Sequence, residues 1–201
     1  MAKYRFGVQA LIAFTITLLI GCGDESSSYN SSSPYEAFAA TDNGKTANRL
    51  DPTPAEQEVF EKVNEERAKV GLKPLAFCKL LADCARAHSN DMHDRGFFSH
   101  INPDGWGPTQ RGREGRAGSY TFEPIVPDPY YGVAENIAMG CADATDVINL
   151  WMNSPGHKSN ILNSAYTHMG VGVCSDNCPN PDCKPPLHHW TLNFGTRASG
   201  D

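Results

Sequence analysis

Apolar residues at Val59, Phe60, Val63 and Val70 return at near-helical spacing between Thr53 and Gly71 and predict a first helix. Its start is written in Thr53-Pro54-Ala55-Glu56: a capping hydroxyl, a proline suited to the first helical position and a glutamate three residues on that closes a capping box. A second helix is predicted from Cys78 to Arg95, with Leu81, Cys84, Ala85, His88 and Met92 on one stripe and Gly96 as its stop. From Ile101 to Pro129, Gly, Pro and Arg leave no period, which predicts a long loop with a short helix near Thr109 to Gly115. Long ordered loops tend to carry function. After a short segment from Gly132 to Met139, Val147, Ile148 and Trp151 mark the apolar face of a third helix that begins at about Asp143 and is interrupted at Pro155. Ser154 and Pro155 then read as N-cap and first residue of a short helix to Leu162. Met169 to Cys174 and His188 to Gly195 read as strands, joined by a Cys-, Pro- and Asp-rich loop from Ser175 to Leu187. Helices first and strands later, without regular alternation, predict an α+β layered domain.

Upstream the pattern changes twice. Lys3 and Arg5 precede an apolar run from Gly7 to Gly21 that is interrupted by Gln9 and too short to span a bilayer, which is the grammar of a cleaved export signal. Leu19-Ile20-Gly21-Cys22 resembles a bacterial lipobox, which would make Cys22 the lipidated N-terminus and the membrane a partner through its acyl chains. From Asp24 to about Leu50 the chain is rich in Ser and Asn and poor in apolar residues, as expected of a flexible tether. The organisation expected is therefore a lipoprotein signal peptide over 1–21, lipidated cysteine and tether over 22–50, and one folded domain over 51–198, exported and anchored to a bacterial membrane at the cell surface or in the periplasm.

A net charge of −6 argues against nucleic acid and anionic lipid surfaces as partners. Beyond Cys22, an even set remains in an exported domain: Cys78, Cys84, Cys141, Cys174, Cys178 and Cys183. Disulfides are the default expectation, with the pairing open. The competing reading makes Cys174, Cys178 and Cys183, with His188 or His189, a zinc knuckle, although the spacing lacks a clear CxxC pair.

Several segments in one order carry a resemblance. They are Asn64-Glu65-Glu66-Arg67 with Gly71-Leu72-Lys73-Pro74-Leu75; Ala87-His88-Ser89-Asn90-Asp91-Met92 leading into Gly96-Phe97-Phe98-Ser99-His100; Asn102-Pro103-Asp104-Gly105 with Arg111; and Ala134-Glu135-Asn136-Ile137-Ala138. Trp151 through Leu162, Gly170-Val171-Gly172-Val173 and Trp190 through Gly195 complete the set. Over roughly Thr53 to Arg197 the chain resembles the CAP superfamily (cysteine-rich secretory proteins, antigen 5 and pathogenesis-related proteins; the SCP domain) in its short bacterial branch. The resemblance implies an α-β-α sandwich with a small antiparallel sheet between helical layers. It also implies a cleft of two histidines and two glutamates that sometimes holds a divalent metal.

On that resemblance His100 matches the first histidine and Glu135 the first glutamate. A carboxylate beside an imidazole fixes its tautomer, which suits proton transfer or metal binding. Ser154 stands where the eukaryotic pattern has its second glutamate, and a hydroxyl replaces neither a carboxylate base nor a strong zinc ligand. The strand that supplies the second histidine in larger members is missing from the pattern, and His157 is the nearest substitute, with His168 weaker. The candidate catalytic or metal-ligating set is thus His100, Glu135 and His157, with zinc or another divalent ion as the candidate cofactor. His88 and His93, five apart, lie on different helical faces and are not expected to share a metal. Trp106, Trp151, Phe97, Phe98 and Phe194 are candidates to line an apolar groove for a sterol or fatty acid, or to be plain core.

Three functions fit: a surface-anchored binding module for an extracellular ligand such as a peptide, glycan or lipid; a peptidase-like hydrolase using His100 and Glu135 with or without metal; and a disulfide-stabilised extracellular structural protein. The first needs only the fold, the tether and the polar cleft. Ser154 with His157 would be the nucleophile and base of the second, but no GxSxG-like elbow accompanies them.

Overall fold

The computed structural model describes residues 51–125, 130–174 and 188–197. Cys22, the leader, the tether, Cys178 and Cys183 lie outside those residues. Among the described residues no helix is long and apolar enough to cross a membrane.

Helix α1 (Pro54–Lys69) starts on the capping box that its sequence announces: Glu56 N–H donates to Thr53 Oγ1 at 3.2 Å and Thr53 N–H to Glu56 Oε2 at 2.7 Å. Val59 and Val63 are buried, whereas Val70 follows the last helical turn and is exposed, so it does not extend the core face. A two-residue strand β1 (Ala76–Phe77) leads into α2 (Lys79–Asp94). Then come α3 (Pro108–Glu114), a minimal hairpin of β2 (Arg116–Ala117) and β3 (Tyr120–Thr121), and β4 (Tyr130–Met139). Helices α4 (Ala144–Met152) and α5 (Pro155–Ile161) precede β5 (His168–Cys174) and β6 (His189–Arg197).

The main sheet runs β1-β5-β6-β4. β6 pairs antiparallel with both neighbours, but β1 adds to β5 in parallel, so the sheet is mixed where a wholly antiparallel one was expected. Alternation along β6 sorts the layers. Trp190, Leu192 and Phe194 enter a core with Val59 and Val63 of α1, Val147 and Trp151 of α4, and Ile161 of α5. His189, Thr191 and Asn193 face α2. The α-β-α sandwich expected from the resemblance is thus present.

α2 is buried on nearly all sides rather than along one stripe, because the sheet covers one face and the hairpin and α3 another. Two glycines permit the approach: a Cβ on Gly170 would stand 2.0 Å from Ala82 N, and one on Gly172 2.2 Å from Arg86 N. At the helix's other side Arg86 forms a buried ion pair with Glu56, Nε to Oε1 at 2.9 Å, tying α2 to α1.

Three expectations change in three dimensions. Cys84 and Cys141 are buried free thiols, Cys84 between α2 and the hairpin and Cys141 in the core across the sheet, so the two do not enter a disulfide set. Burial pushes the Cys84 thiol up to about 12. The aromatic residues do not line one groove: Trp151 and Phe194 are fully buried in the α1/α4 core, while Phe97 packs on His88 at a 5.9 Å ring separation and Phe98 is exposed. Ser154 occupies the N-cap position of α5, yet its side chain makes no capping hydrogen bond.

Candidate functional site

The loop after α2 is built to hold His100. Gly96, at φ 65°, ends the helix, and Phe97 N–H returns to Met92 O at 3.1 Å. Asn102 then closes a tight turn, its Oδ1 accepting from Asp104 N–H at 3.1 Å and Trp106 N–H at 2.9 Å. Arg95 straps that turn to α2, reaching Asp91 through Nε at 2.5 Å and Asp104 through Nη2 at 3.1 Å. Trp106 lies under the Arg116 guanidinium at 4.8 Å.

Arg111 of α3 is fully buried and gathers the loop from inside: its Nη1 donates to His100 O at 2.7 Å and to Trp106 O at 2.9 Å. Its Nη2 pairs with Glu135 Oε2. Glu135 lies mid-strand on β4 opposite Asn193, on the face that looks at α2, and its side chain is 1% exposed. Its other oxygen, Oε1, meets His100 Nδ1 at 2.9 Å. Burial works to raise the Glu135 pKa, but the Arg111 charge and the His100 hydrogen bond outweigh it and hold the carboxyl below its usual range. An ionised carboxylate only accepts, so His100 Nδ1 carries the proton toward Glu135 and Nε2 is turned outward on a side chain that is 48% exposed.

His88 completes the buried side. Burial lowers its pKa to about 4, so it is neutral at pH 7. Its Nε2 lies 3.0 Å from Ser99 O and 3.8 Å from Glu135 Oε1, and the Ser99 carbonyl fixes the proton on Nε2.

The next residue along β4 works on the opposite face. Asn136 Nδ2 donates to His157 O at 3.0 Å, and Asn160 Nδ2 donates to Asn136 Oδ1 at 2.9 Å, which docks α5 on the strand. His157 is half-buried, and its Nδ1 is buried without a hydrogen-bond partner. Burial, and then the charge of His100, lower its pKa. Ser154 and His157 share no hydrogen bond. His168 stands apart on β5 opposite Gly195, its Nδ1 2.8 Å from Thr167 Oγ1.

The structure therefore joins His100 to Glu135 by a hydrogen bond and ties His157 to β4 through its backbone carbonyl. Sequence reasoning gave no role to Arg111 or to the Asn136–Asn160 link, and read His88 as one member of an apolar stripe. Only the resemblance separates Arg111 from the neighbouring Arg113 and Arg116, and it gives no role until α3 places the side chain inside. Among the described residues no three His, Cys, Asp or Glu side chains group as metal ligands.

With this geometry in hand, relatives can be compared. The profile of the family described as CAP, the cysteine-rich secretory protein family, matches residues 60–194. The uncharacterized protein YkwD of Bacillus subtilis is 36% identical over 143 residues, which cover 71% of this chain and 51% of that protein, so the chain spans about half of its relative's length. Among solved structures, an extracellular protein containing a SCP domain from Bacillus anthracis superposes with a TM-score of 0.57 at 28% identity, covering 74% of this chain and 45% of the other. An outer surface protein from Borrelia burgdorferi superposes with a TM-score of 0.60 at 19% identity, covering 75% of this chain and 98% of the other, a likeness of fold alone.

Proposed function

The chain belongs to the cysteine-rich secretory protein (CAP) family, and from that premise we propose that it is an exported, membrane-anchored binding module whose cleft takes a divalent metal ion, zinc first, on the imidazoles of His100 and His157. The observation that carries this reading is the buried chain Arg111–Glu135–His100, which spends an ion pair on aiming one exposed ring nitrogen outward. A carboxylate behind a ligating histidine fixes its tautomer and strengthens its basicity. The unpartnered Nδ1 of His157 and its lowered pKa fit a neutral imidazole ligand beside it. Glu135 has both oxygens committed, which favours it as the orienting partner over a role as third ligand. A bound ion there would act as a Lewis acid toward an oxygen of an extracellular peptide, glycan or lipid. Export is supported by the leader sequence and by a Bacillus anthracis relative described as extracellular.

The hydrolytic reading has less to work with. Glu135 keeps no free oxygen to serve as a base, and Ser154 and His157 are not joined as nucleophile and base. Calorimetric titration of the full-length chain with zinc tests the proposal. The expected result is loss of one zinc equivalent in the His100→Ala/His157→Ala variant and about 10- to 100-fold weaker binding in Glu135→Gln. Zinc binding of equal stoichiometry and affinity in parent and double variant would contradict it.

A further inference from the structure

Along β6, each side chain that faces α2 meets a partner from the helix. Ser89 Oγ donates to Thr191 Oγ1 at 2.8 Å, and Asn193 Nδ2 donates to Leu81 O at 3.3 Å. The third meeting differs. His93 of α2 stands edge-on to His189, with ring centroids 5.6 Å apart and planes at 81°. His93 is only 9% exposed, and neither of its ring nitrogens has a hydrogen-bond partner. A neutral imidazole carries one donor and one acceptor. Burying both without a partner is costly, and such a group calls for an ion or a water to complete it.

The spacing of the rings agrees with an ion. Zinc binds imidazole nitrogen at about 2.0–2.1 Å, so two rings on one tetrahedral ion have centroids roughly 5–6 Å apart. We propose that His93 and His189 form a second, two-imidazole site for a borderline transition-metal ion such as zinc, closed by water, at the end of the α2–sheet layer. It is distinct from the His100 cleft: Glu135 pairs with Asn193, four residues along β6 from His189, which is roughly 13 Å at strand rise. Imidazole donors select zinc, nickel or copper over magnesium or calcium. Cys174 lies opposite His189 in the ladder, but among the described residues no third side chain converges with the two rings as a ligand. Occupancy would pin the C-terminal end of α2, from which the His100 loop departs, to the start of β6.

The test uses the full-length His100→Ala/His157→Ala variant, so that the cleft cannot answer for this site, and zinc chloride as the only added ligand. Imidazole nitrogen resonances are followed by NMR and the affinity by calorimetry. Zinc is expected to shift a ring nitrogen of His93, to bind at one equivalent, and to bind at least tenfold more weakly after His93→Gln or His189→Gln. Unmoved His93 resonances at saturating zinc, or undiminished affinity in both substituted chains, would overturn the proposal. The resonance measurement is made on unsubstituted His93 and His189, so it decides the matter even where either substitution fails to fold.

Discussion

Arg111→Met is the most informative single substitution. It keeps the side chain's length and apolar stem but removes the only guanidinium that faces Glu135 from α3, together with donors to His100 O and Trp106 O. Arg111 and Glu135 are 0% and 1% exposed, so neither charge can turn to water when its partner is lost. Removing one member of a buried pair costs about 3–5 kcal/mol, because the remaining charge is left uncompensated or must be neutralised. Near its midpoint a domain of this size loses on the order of 10–15 °C of melting temperature for that cost. The companion substitution Glu135→Gln in the same chain removes the stranded charge. It should restore about half of the loss or more, giving a coupling energy of about 2 kcal/mol in a double-mutant cycle. The assay is urea denaturation of the four proteins followed by far-ultraviolet circular dichroism. A cost below about 1 kcal/mol for Arg111→Met, in the range of an exposed pair, would refute the reasoning. So would additivity of the two substitutions.

Acid should weaken the fold on two counts with the same sign. His88 has a folded pKa of about 4 against an ordinary 6.5, so between those values the unfolded chain holds a proton that the folded one refuses, and stability falls as pH drops through that window. The effect is up to roughly 3 kcal/mol, and His88→Gln, which keeps a donor for Ser99 O, should flatten the slope in a series of denaturation curves from pH 7 to 4. Glu135, held below the usual carboxylate range, contributes its full stability at neutral pH and loses it as pH falls through that lowered value. Gly172→Ala would place a Cβ 2.2 Å from Arg86 N and 2.4 Å from Ala85 C, backbone atoms that cannot swing away. A loss of about 1–3 kcal/mol or more is expected by thermal melting, and an unchanged melting temperature would mean that α2 slides freely on the sheet. Alkylation of the native protein should leave Cys84 and Cys141 unmodified until denaturant is added, and peptide mapping should find Cys78 in a disulfide; rapid native labelling of Cys84 would contradict its burial.

How far the chain could be read follows from which signals are local. The capping box at Thr53 and Glu56 and the Ser154-Pro155 helix start depend on a few consecutive residues, and α1 and α5 begin where they say. The His100–Glu135 pair joins residues 35 apart and was legible only through the resemblance, since no spacing rule links a loop histidine to a mid-strand carboxylate. Arg111 enters the sequence reading as part of the resemblance but without a role, because a buried arginine looks like a surface one until the partners that neutralise it are known. The two-residue strands β1, β2 and β3 are too short for any period to show, and β1 exists because Ala76 N–H finds Thr167 O at 2.9 Å from a distant part of the chain. Counting cysteines suggested pairs, but pairing needs proximity, and Cys84 and Cys141 lie on opposite sides of the sheet.

The account's central claim is that Glu135 holds His100 in one tautomer, with Nε2 presented for a metal. Long-range nitrogen–proton correlation spectra of the histidine rings at pH 7, before and after zinc, test it most directly. The account predicts His100 protonated on Nδ1, with a free Nε2 that shifts on zinc addition together with a nitrogen of His157. A His100 ring protonated on Nε2, or one that ignores saturating zinc, would contradict it.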